Sequence, residues 1–175
     1  MTMTTKLSEL TGDYVLDAER TRIGFVARHR MGTRVRGRFA AFEGVVRLDG
    51  DDPSASSARL TIQADTVDTG NKQRDDQLSR TFLVAATYPA VSFVSTKVEQ
   101  TGATTFDVTG GLTMRGVTHP VTVPFELIEA DGDVTFKATR TINRMQWQVN
   151  WNALTTVMVS PDVILDLQLI ATACD

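Results

Sequence analysis

Long stretches of the chain alternate apolar and polar residues with a period of two, and this constrains its fold more than any other feature. Successive side chains of a β-strand point to opposite faces, so this period marks strands with one buried side. Ile23, Phe25, Ala27 and His29 share one parity, with Arg22, Arg28 and Arg30 on the other. Val35, Gly37 and Phe39 alternate with Arg34, Arg36 and Arg38, and residues 42–48 continue as an extended run. Leu60, Ile62 and Ala64 alternate with Thr61, Gln63 and Asp65, and the pattern returns in residues 91–98 and 104–114. Val117, Val121, Val123, Phe125 and Leu127 share a parity, as do Val134, Phe136, Ala138 and Ile142. Val163, Leu165, Leu167, Leu169 and Ala171 make one long apolar face. Turn-forming segments at 50–56, 101–102, 131–133 and 160–162 separate the runs. This spacing predicts an all-β fold of about eight antiparallel strands, as a sandwich or a closed up-and-down barrel. One helix is expected, over 71–80, starting at Gly70 or Asn71 and docking through Leu78. Gly110 and Gly111 interrupt a strand pattern. They mark a bend or bulge, or leave room for a ligand inside a barrel.

A length of 175 residues suits one domain. Residues 1–12 are polar and read as a flexible leader, with a single domain over 13–175. The leader lacks the apolar core of a secretory signal, and no run approaches the ~18 apolar residues of a membrane span. A soluble, cytoplasmic protein is the expectation. A single cysteine, Cys174, excludes an internal disulfide and a cysteine-built zinc site. Two histidines, His29 and His119, exclude a three-histidine metal centre.

The net charge of −3 conceals an asymmetry. Residues 20–38 hold seven arginines and no acid, while the remaining 11 basic residues face 21 acidic ones. Strand parity sets Arg22, Arg28, Arg30, Arg34, Arg36 and Arg38 on a face opposite Phe25, His29 and Phe39, with Arg20 continuing the series. The arginines therefore belong outside a barrel, as a solvated face or as a contact with an anionic membrane or partner. Nucleic acid is disfavoured by the acidic remainder and by the lack of aromatics on that face.

No phosphate loop, dinucleotide fingerprint, nucleophile elbow or zinc-protease motif is present, and no cofactor or metal is expected. Arg74, Asp75 and Asp76 lack calcium-loop spacing and read as local ion pairs and caps. His29 has inward parity, as a satisfied core group or a hydrogen-bonding partner of a head group. Arg140 shares the parity of Phe136 and Ala138, which puts a guanidinium inside, where it must be paired or hold an anion. Trp147 and Trp151 supply a wide apolar wall, suited to a core or to a lipid pocket.

Several blocks of residues then carry a resemblance. They are Tyr14-x-x-Asp17 with Ile23-Gly24-Phe25-x-x-x-His29, then Val35-x-Gly37-x-Phe39-x-x-Phe42-x-Gly44. Next come Thr66-Val67-Asp68-Thr69-Gly70-Asn71-x-x-Arg74-Asp75-x-x-Leu78 with Phe82, and Tyr88-Pro89-x-x-x-Phe93-x-Ser95-Thr96. The most specific block is Gly110-Gly111-Leu112-Thr113-Met114-Arg115-Gly116-Val117-Thr118 followed by Pro120, and Arg144 and Asp162-Val163 echo the C-terminal part. Over residues 13–173 the chain resembles the YceI-like family of lipid- and polyisoprenoid-binding proteins. The resemblance implies an extended eight-stranded antiparallel lipocalin-like β-barrel, with one short helix in a crossover loop and an apolar channel for a lipid chain. Family members are often periplasmic or secreted. The chain departs from the family at 144–152, where a shorter segment is usual.

Strands of about ten residues tilted by about 40° would give a barrel ~25 Å tall, the reach of an extended lipid chain. Each buried CH₂ contributes about 0.8 kcal/mol, so few polar contacts are needed. The expected wall comprises Phe25, Phe39, Phe42, Leu60, Ile62, Phe93, Leu112, Met114, Phe125 and Phe136, each equally readable as ordinary core. Phe82 and Trp147 extend this wall, and His29, Arg74 and Arg140 are the candidates for a head group. The expected function is binding of a polyisoprenoid, quinone-like molecule or fatty acid derivative for carriage, storage or sequestration, without catalysis. The alternatives are an enzyme using His29 as acid or base on such a lipid, and a module docking through the arginine face. The oligomeric state is open, a homodimer being one expectation.

Overall fold

A computed structural model describes residues 7–174. The strands are β1 (Gly12–Leu16), β2 (Arg22–Arg28), β3 (Arg34–Phe39), β4 (Phe42–Leu48), β5 (Ser57–Gln63) and β6 (Val67–Asp68). They continue as β7 (Ala90–Gln100), β8 (Thr105–Met114), β9 (Val117–Asp131), β10 (Asp133–Asn143) and β11 (Asp162–Ala173). All pairings are antiparallel. The first six strands lie end to end as three broken staves. β1 pairs with β4 where β2 pairs with β3, and β4 pairs with β5 where β3 pairs with β6. β5, β7, β8, β9, β10 and β11 follow in order. β11 then pairs with β1 through residues 171–173 and with β2 through residues 164–168. The result is a closed eight-stave antiparallel barrel rather than a sandwich.

Each break between half-staves has its own fastening. Between β1 and β2 the Asp17 carboxylate accepts from the Glu19 and Arg20 backbone amides and, at 2.7 Å, from Arg20 Nε. Arg20 Nη2 reaches on to Asp133 at 2.6 Å in the β9–β10 turn. The Arg20 guanidinium holds the Asp17 carboxyl below the usual carboxylate range. At the other two breaks, Ala40 N–H donates to Thr66 O and Gln63 N–H to Ala41 O. Thr66 Oγ1 accepts from Ala41 N–H at 3.1 Å, so two chain breaks are stitched to each other.

Buried residues gather toward the two ends of the barrel. One cluster holds Ile23, Ile62, Val91, Leu112, Val121, Ile142 and Trp147, and the other Leu10, Tyr14, Leu127, Val134 and Ala171. Leu10 belongs to a 3₁₀ turn, Leu7–Leu10, and accepts a 2.7 Å hydrogen bond from the Tyr14 hydroxyl. Residues 7–10, expected in a flexible leader, are therefore docked on the barrel, because Leu10 buries its side chain there. Residues 1–6 lie outside the described residues.

The expected helix is present as α1 (Lys72–Gln77), capped by Asn71 Oδ1 accepting from Arg74 N–H, and it runs into a π turn that buries Phe82. A second short helix, α2 (Ala153–Met158), departs from the expectation of one. It forms because Asn152 Oδ1 accepts from Thr155 N–H while Thr155 Oγ1 accepts from Asn152 N–H, a reciprocal capping box. Its six residues are too few for a helical period to register, and its cap ends in threonine rather than the usual Glu or Gln.

Trp147 stoppers the barrel near this second helix. It is buried, meets the His119 ring edge-on at 5.5 Å, and donates from Nε1 to Leu112 O at 2.8 Å. Trp147→Ala is expected to lower the unfolding free energy by about 3–5 kcal/mol in urea titrations. Trp147→Phe should lose less, since it keeps one of the two fused rings and forfeits one hydrogen bond.

Candidate functional site

The barrel interior is not filled. Phe25 and Gly37 are directly paired across β2 and β3, and the phenyl ring occupies the space a side chain at 37 would take. A Cβ there would lie 2.3 Å from Phe25 Cζ. Gly110 lies diagonally across from Phe93, where a Cβ would stand 2.5 Å from Val94 O and 2.6 Å from Phe93 Cζ. Each glycine lets a ring settle against the wall, so the rings line the lumen without crossing it.

What remains is a cavity of about 310 Å³. It runs from Leu7, Leu10 and Pro53 at one end to Arg144, Val149 and Val159 at the other. Phe25 and Phe39 stand 5.8 Å apart in its wall, and Phe125 and Phe136 meet edge-to-face at 6.3 Å. The polar residues among the described wall residues are Asp49 and Ser56 in the β4–β5 loop, Ser57 and Arg59 of β5, which share the outward parity of Thr61, and Arg144 at the far end.

Arg144 is 4% exposed and has no acidic partner among the described residues. Its Nε donates to Ser160 O at 3.1 Å. Nη1 donates to Val149 O and Asn150 Oδ1, and Nη2 to Thr155 O and Val159 O. All five N–H donors of the guanidinium are thus consumed by the 149–160 segment. Burial pushes its pKa below the ordinary arginine value, while carbonyl dipoles compensate the charge. Arg115 reinforces the same segment by donating to Gln148 O and Asn150 O. Arg144 therefore clamps the segment that covers this end of the cavity.

Ten of the expected residues line the cavity: Phe25, Phe39, Leu60, Ile62, Phe82, Phe93, Leu112, Met114, Phe125 and Phe136. Five do not. Phe42 lies opposite Ile62 and packs on the core, and Trp147 is the stopper described above. Arg74 donates to Thr69 Oγ1 at 2.7 Å and to Thr69 O at 3.0 Å, which locks the turn before α1. His29 falls one residue beyond β2, where strand parity no longer refers to the barrel interior, and its backbone bridges to Val159. Arg140 keeps the parity of Ala138 and Ile142 and lies opposite Leu165, yet it is exposed. The β9–β10 ladder stops at Glu126–Lys137, so residue 140 has no β9 partner and its long side chain reaches water. The buried guanidinium stands four residues further on, at Arg144. The signal for it was its place in the family pattern.

A model of the YceI-like domain matches residues 14–171. The chain belongs to the YceI-like family. It is 36% identical over 129 residues to protein YceI of Escherichia coli O157:H7, covering 72% of this chain and 67% of that one. A UPF0312 protein of Pseudomonas aeruginosa (strain LESB58) is 37% identical over 127 residues, or 71% of this chain and 66% of its own. The chain thus spans about two-thirds of these relatives. The crystal structure of BcnA from Burkholderia cenocepacia superposes with a TM-score of 0.85 at 29% identity, covering 90% of this chain and 99% of that one. A polyisoprenoid-binding domain from Saccharophagus degradans, implicated in plant cell wall breakdown, superposes with a TM-score of 0.77. At 19% identity over 92% of this chain and 98% of that one, it shares the fold.

Two substitutions test how this YceI-like barrel keeps its cavity open and closed. Gly37→Ala is expected to cost about 1–3 kcal/mol by forcing Phe25 off the wall. Most of that cost should vanish in the Phe25→Ala background, which a double-mutant cycle in urea would measure. Arg144→Met should cost at least ~3 kcal/mol, because it strands several buried carbonyls. Hydrogen exchange in residues 149–160 should accelerate before the strands do. Arg144→Lys should not rescue, since an ammonium offers three donors in place of five.

Proposed function

We propose that the chain binds a long-chain amphiphile in the barrel cavity, for carriage, storage or sequestration. The ligand class is a polyisoprenoid, a quinone-like molecule or a fatty acid derivative. The observation that carries this reading is the hydrocarbon-walled cavity running between the two ends of the barrel. Its volume sits at the lower end of the ~300–1,000 Å³ typical of small-molecule pockets, and its length favours a linear chain over a compact ring system. The wall offers no hydrogen-bonding side chain along its middle, so binding draws on apolar burial of about 0.8 kcal/mol per CH₂, less the cost of ordering the chain. A polar head group belongs at an end. Ser56 offers a hydroxyl on one side, while Arg144 offers a positive field but no free donor. Membership of the YceI-like family and the polyisoprenoid-binding neighbour in fold support the same reading.

The arginine face fits contact with an anionic membrane as a compatible second reading. Arg28, Arg30, Arg34 and Arg36 are exposed and make no ion pair within 4 Å among the described residues. For the enzymatic alternative, His29 makes no side-chain hydrogen bond among the described residues, and Arg74 is engaged by Thr69.

Mass spectrometry of an organic extract of the purified protein should find a chain lipid near stoichiometric amounts. After delipidation, the fluorescent polyene cis-parinaric acid should bind, and Leu60→Trp, which fills the lumen, should weaken it by about tenfold or more. An empty extract together with no probe binding would overturn the proposal.

A further inference from the structure

The Arg144 end of the barrel carries an apolar tip that the cavity does not use. Leu154, Val157 and Met158 share one face of α2, and Trp151 stands just before its N-cap. They are 51%, 68%, 60% and 38% exposed. Met31, in the β2–β3 turn, is 83% exposed. The turn and the helix are joined, since Arg30 N–H donates to Met158 O at 2.9 Å and Ser160 N–H to Arg28 O at 2.8 Å. Val149 and Val159, at either end of the same segment, line the cavity. One segment therefore has an apolar side on the lumen and an apolar side in water. Single exposed apolar residues are ordinary, but a contiguous set of five marks a contact surface.

The charges around the tip say what covers it. Arg28 and Arg34 are paired across the hairpin that presents Met31, and Arg30 lies within its turn. None of the three has an ion-pair partner among the described residues. At the other end of the series, Arg20 is bonded to Asp17 and Asp133, and Arg22 to Asp166. Arginines without an ion-pair partner thus flank the apolar face, Arg36 and Arg38 continuing the series along β3 and Asp162 being an exposed acid nearby. A second copy docking face to face would set these arginines against each other. Anionic lipid head groups would neutralise them while the acyl region received Trp151 and Leu154, and tryptophan favours that boundary.

We propose that the tip formed by α2 and the β2–β3 turn docks on an anionic lipid bilayer and partly enters it, setting the Arg144 end of the cavity against the membrane. The proposal rests on the reading of the cavity as a lipid site, since it gives the cargo an apolar route between bilayer and barrel. The capping box and the Arg144 hydrogen bonds tie the tip to the barrel, which lowers the ordering required on contact.

The test uses the full chain and vesicles of phosphatidylcholine with or without an equal part of phosphatidylglycerol. Trp151 is half exposed while Trp147 is 1% exposed, so one reports on contact and the other is an internal reference. Anionic vesicles should shift the emission to the blue, brominated acyl chains should quench it, and Trp151→Phe should abolish both effects. Cosedimentation should fall by about tenfold or more in Leu154→Asp/Val157→Asp. It should fall comparably in Arg28→Gln/Arg30→Gln/Arg34→Gln, with a flatter salt dependence. Both variants should keep cis-parinaric acid binding in vesicle-free buffer, which shows that they fold. No shift with anionic vesicles, or equal binding to zwitterionic ones, overturns the docking proposal. So does a vesicle-free dimer that buries Trp151 and is lost in Leu154→Asp/Val157→Asp. Failure of wild-type cis-parinaric acid binding would instead strike the cavity reading, whatever the vesicles show.

Discussion

The barrel depends on the closure made by β11. This strand pairs along one edge with β10 and along the other with β1 at one end and β2 at the other. Without that double pairing the other staves would form an open sheet with an apolar face and two unpaired edges, a template for aggregation. The same strand supplies Val163, Leu165, Leu167 and Leu169 to the cavity wall. Its alternation is therefore under two constraints at once, since a one-residue slip would turn the cavity lining outward and dislocate all three partners. The Asp17–Arg20–Asp133 network and the Thr66 stitch are local consequences. They let three staves break without releasing the edges that β11 must meet.

A hollow barrel forgoes the contacts that a filled core would make, because a wall facing a void lacks dispersion partners on that side. Here the packing is displaced to the ends, around Trp147 at one and Leu10 and Tyr14 at the other. Between them the stability falls on the hydrogen-bond ladders and on rings laid against the wall. Gly37 and Gly110 are the inexpensive half of that arrangement, since omitting a side chain at each lets Phe25 or Phe93 line the lumen without crossing it. A chain filling the lumen would restore the missing contacts, so occupancy and stability are linked through mass action.

Period two reads most of this directly, and its failures have physical causes. Where a residue lies inside a laddered strand, parity put it on the right face, as with Phe25, Phe93, Leu112 and Phe125. Where the ladder stops, parity lost its meaning. His29 is one residue past β2, and Arg140 lies beyond the last β9–β10 pair. Arg74 misled for a different reason, because its partners are in the turn just before it and not in the barrel. The broken staves were invisible because three gaps in a strand pattern look like three turns, and only pairing shows that the halves continue one another. Arg144 and α2 are legible only together. A guanidinium that donates to four carbonyls and one amide oxygen satisfies a buried charge with no acid anywhere in its sequence neighbourhood.

The seven arginines of residues 20–38 sit in a chain whose net charge is −3, which at long range would oppose approach to an anionic surface. Placement resolves the conflict. Asp49, Asp51 and Asp52 follow β4, and Asp131 and Asp133 flank the β9–β10 turn, so these acids lie at the end where β1 meets residues 171–173 of β11. Arg28, Arg30 and Arg34 lie at the other, around the β2–β3 turn. Exposed Asp162 also lies at that end, so the separation is partial, and a molecule with such a separation turns its more positive end toward an anionic surface before contact. Within a Debye length, about 8 Å at physiological salt, that surface senses the near end and little of the far one. In the proposed docking, the acidic remainder would then not cancel the arginines; it would select which end of the cavity arrives first.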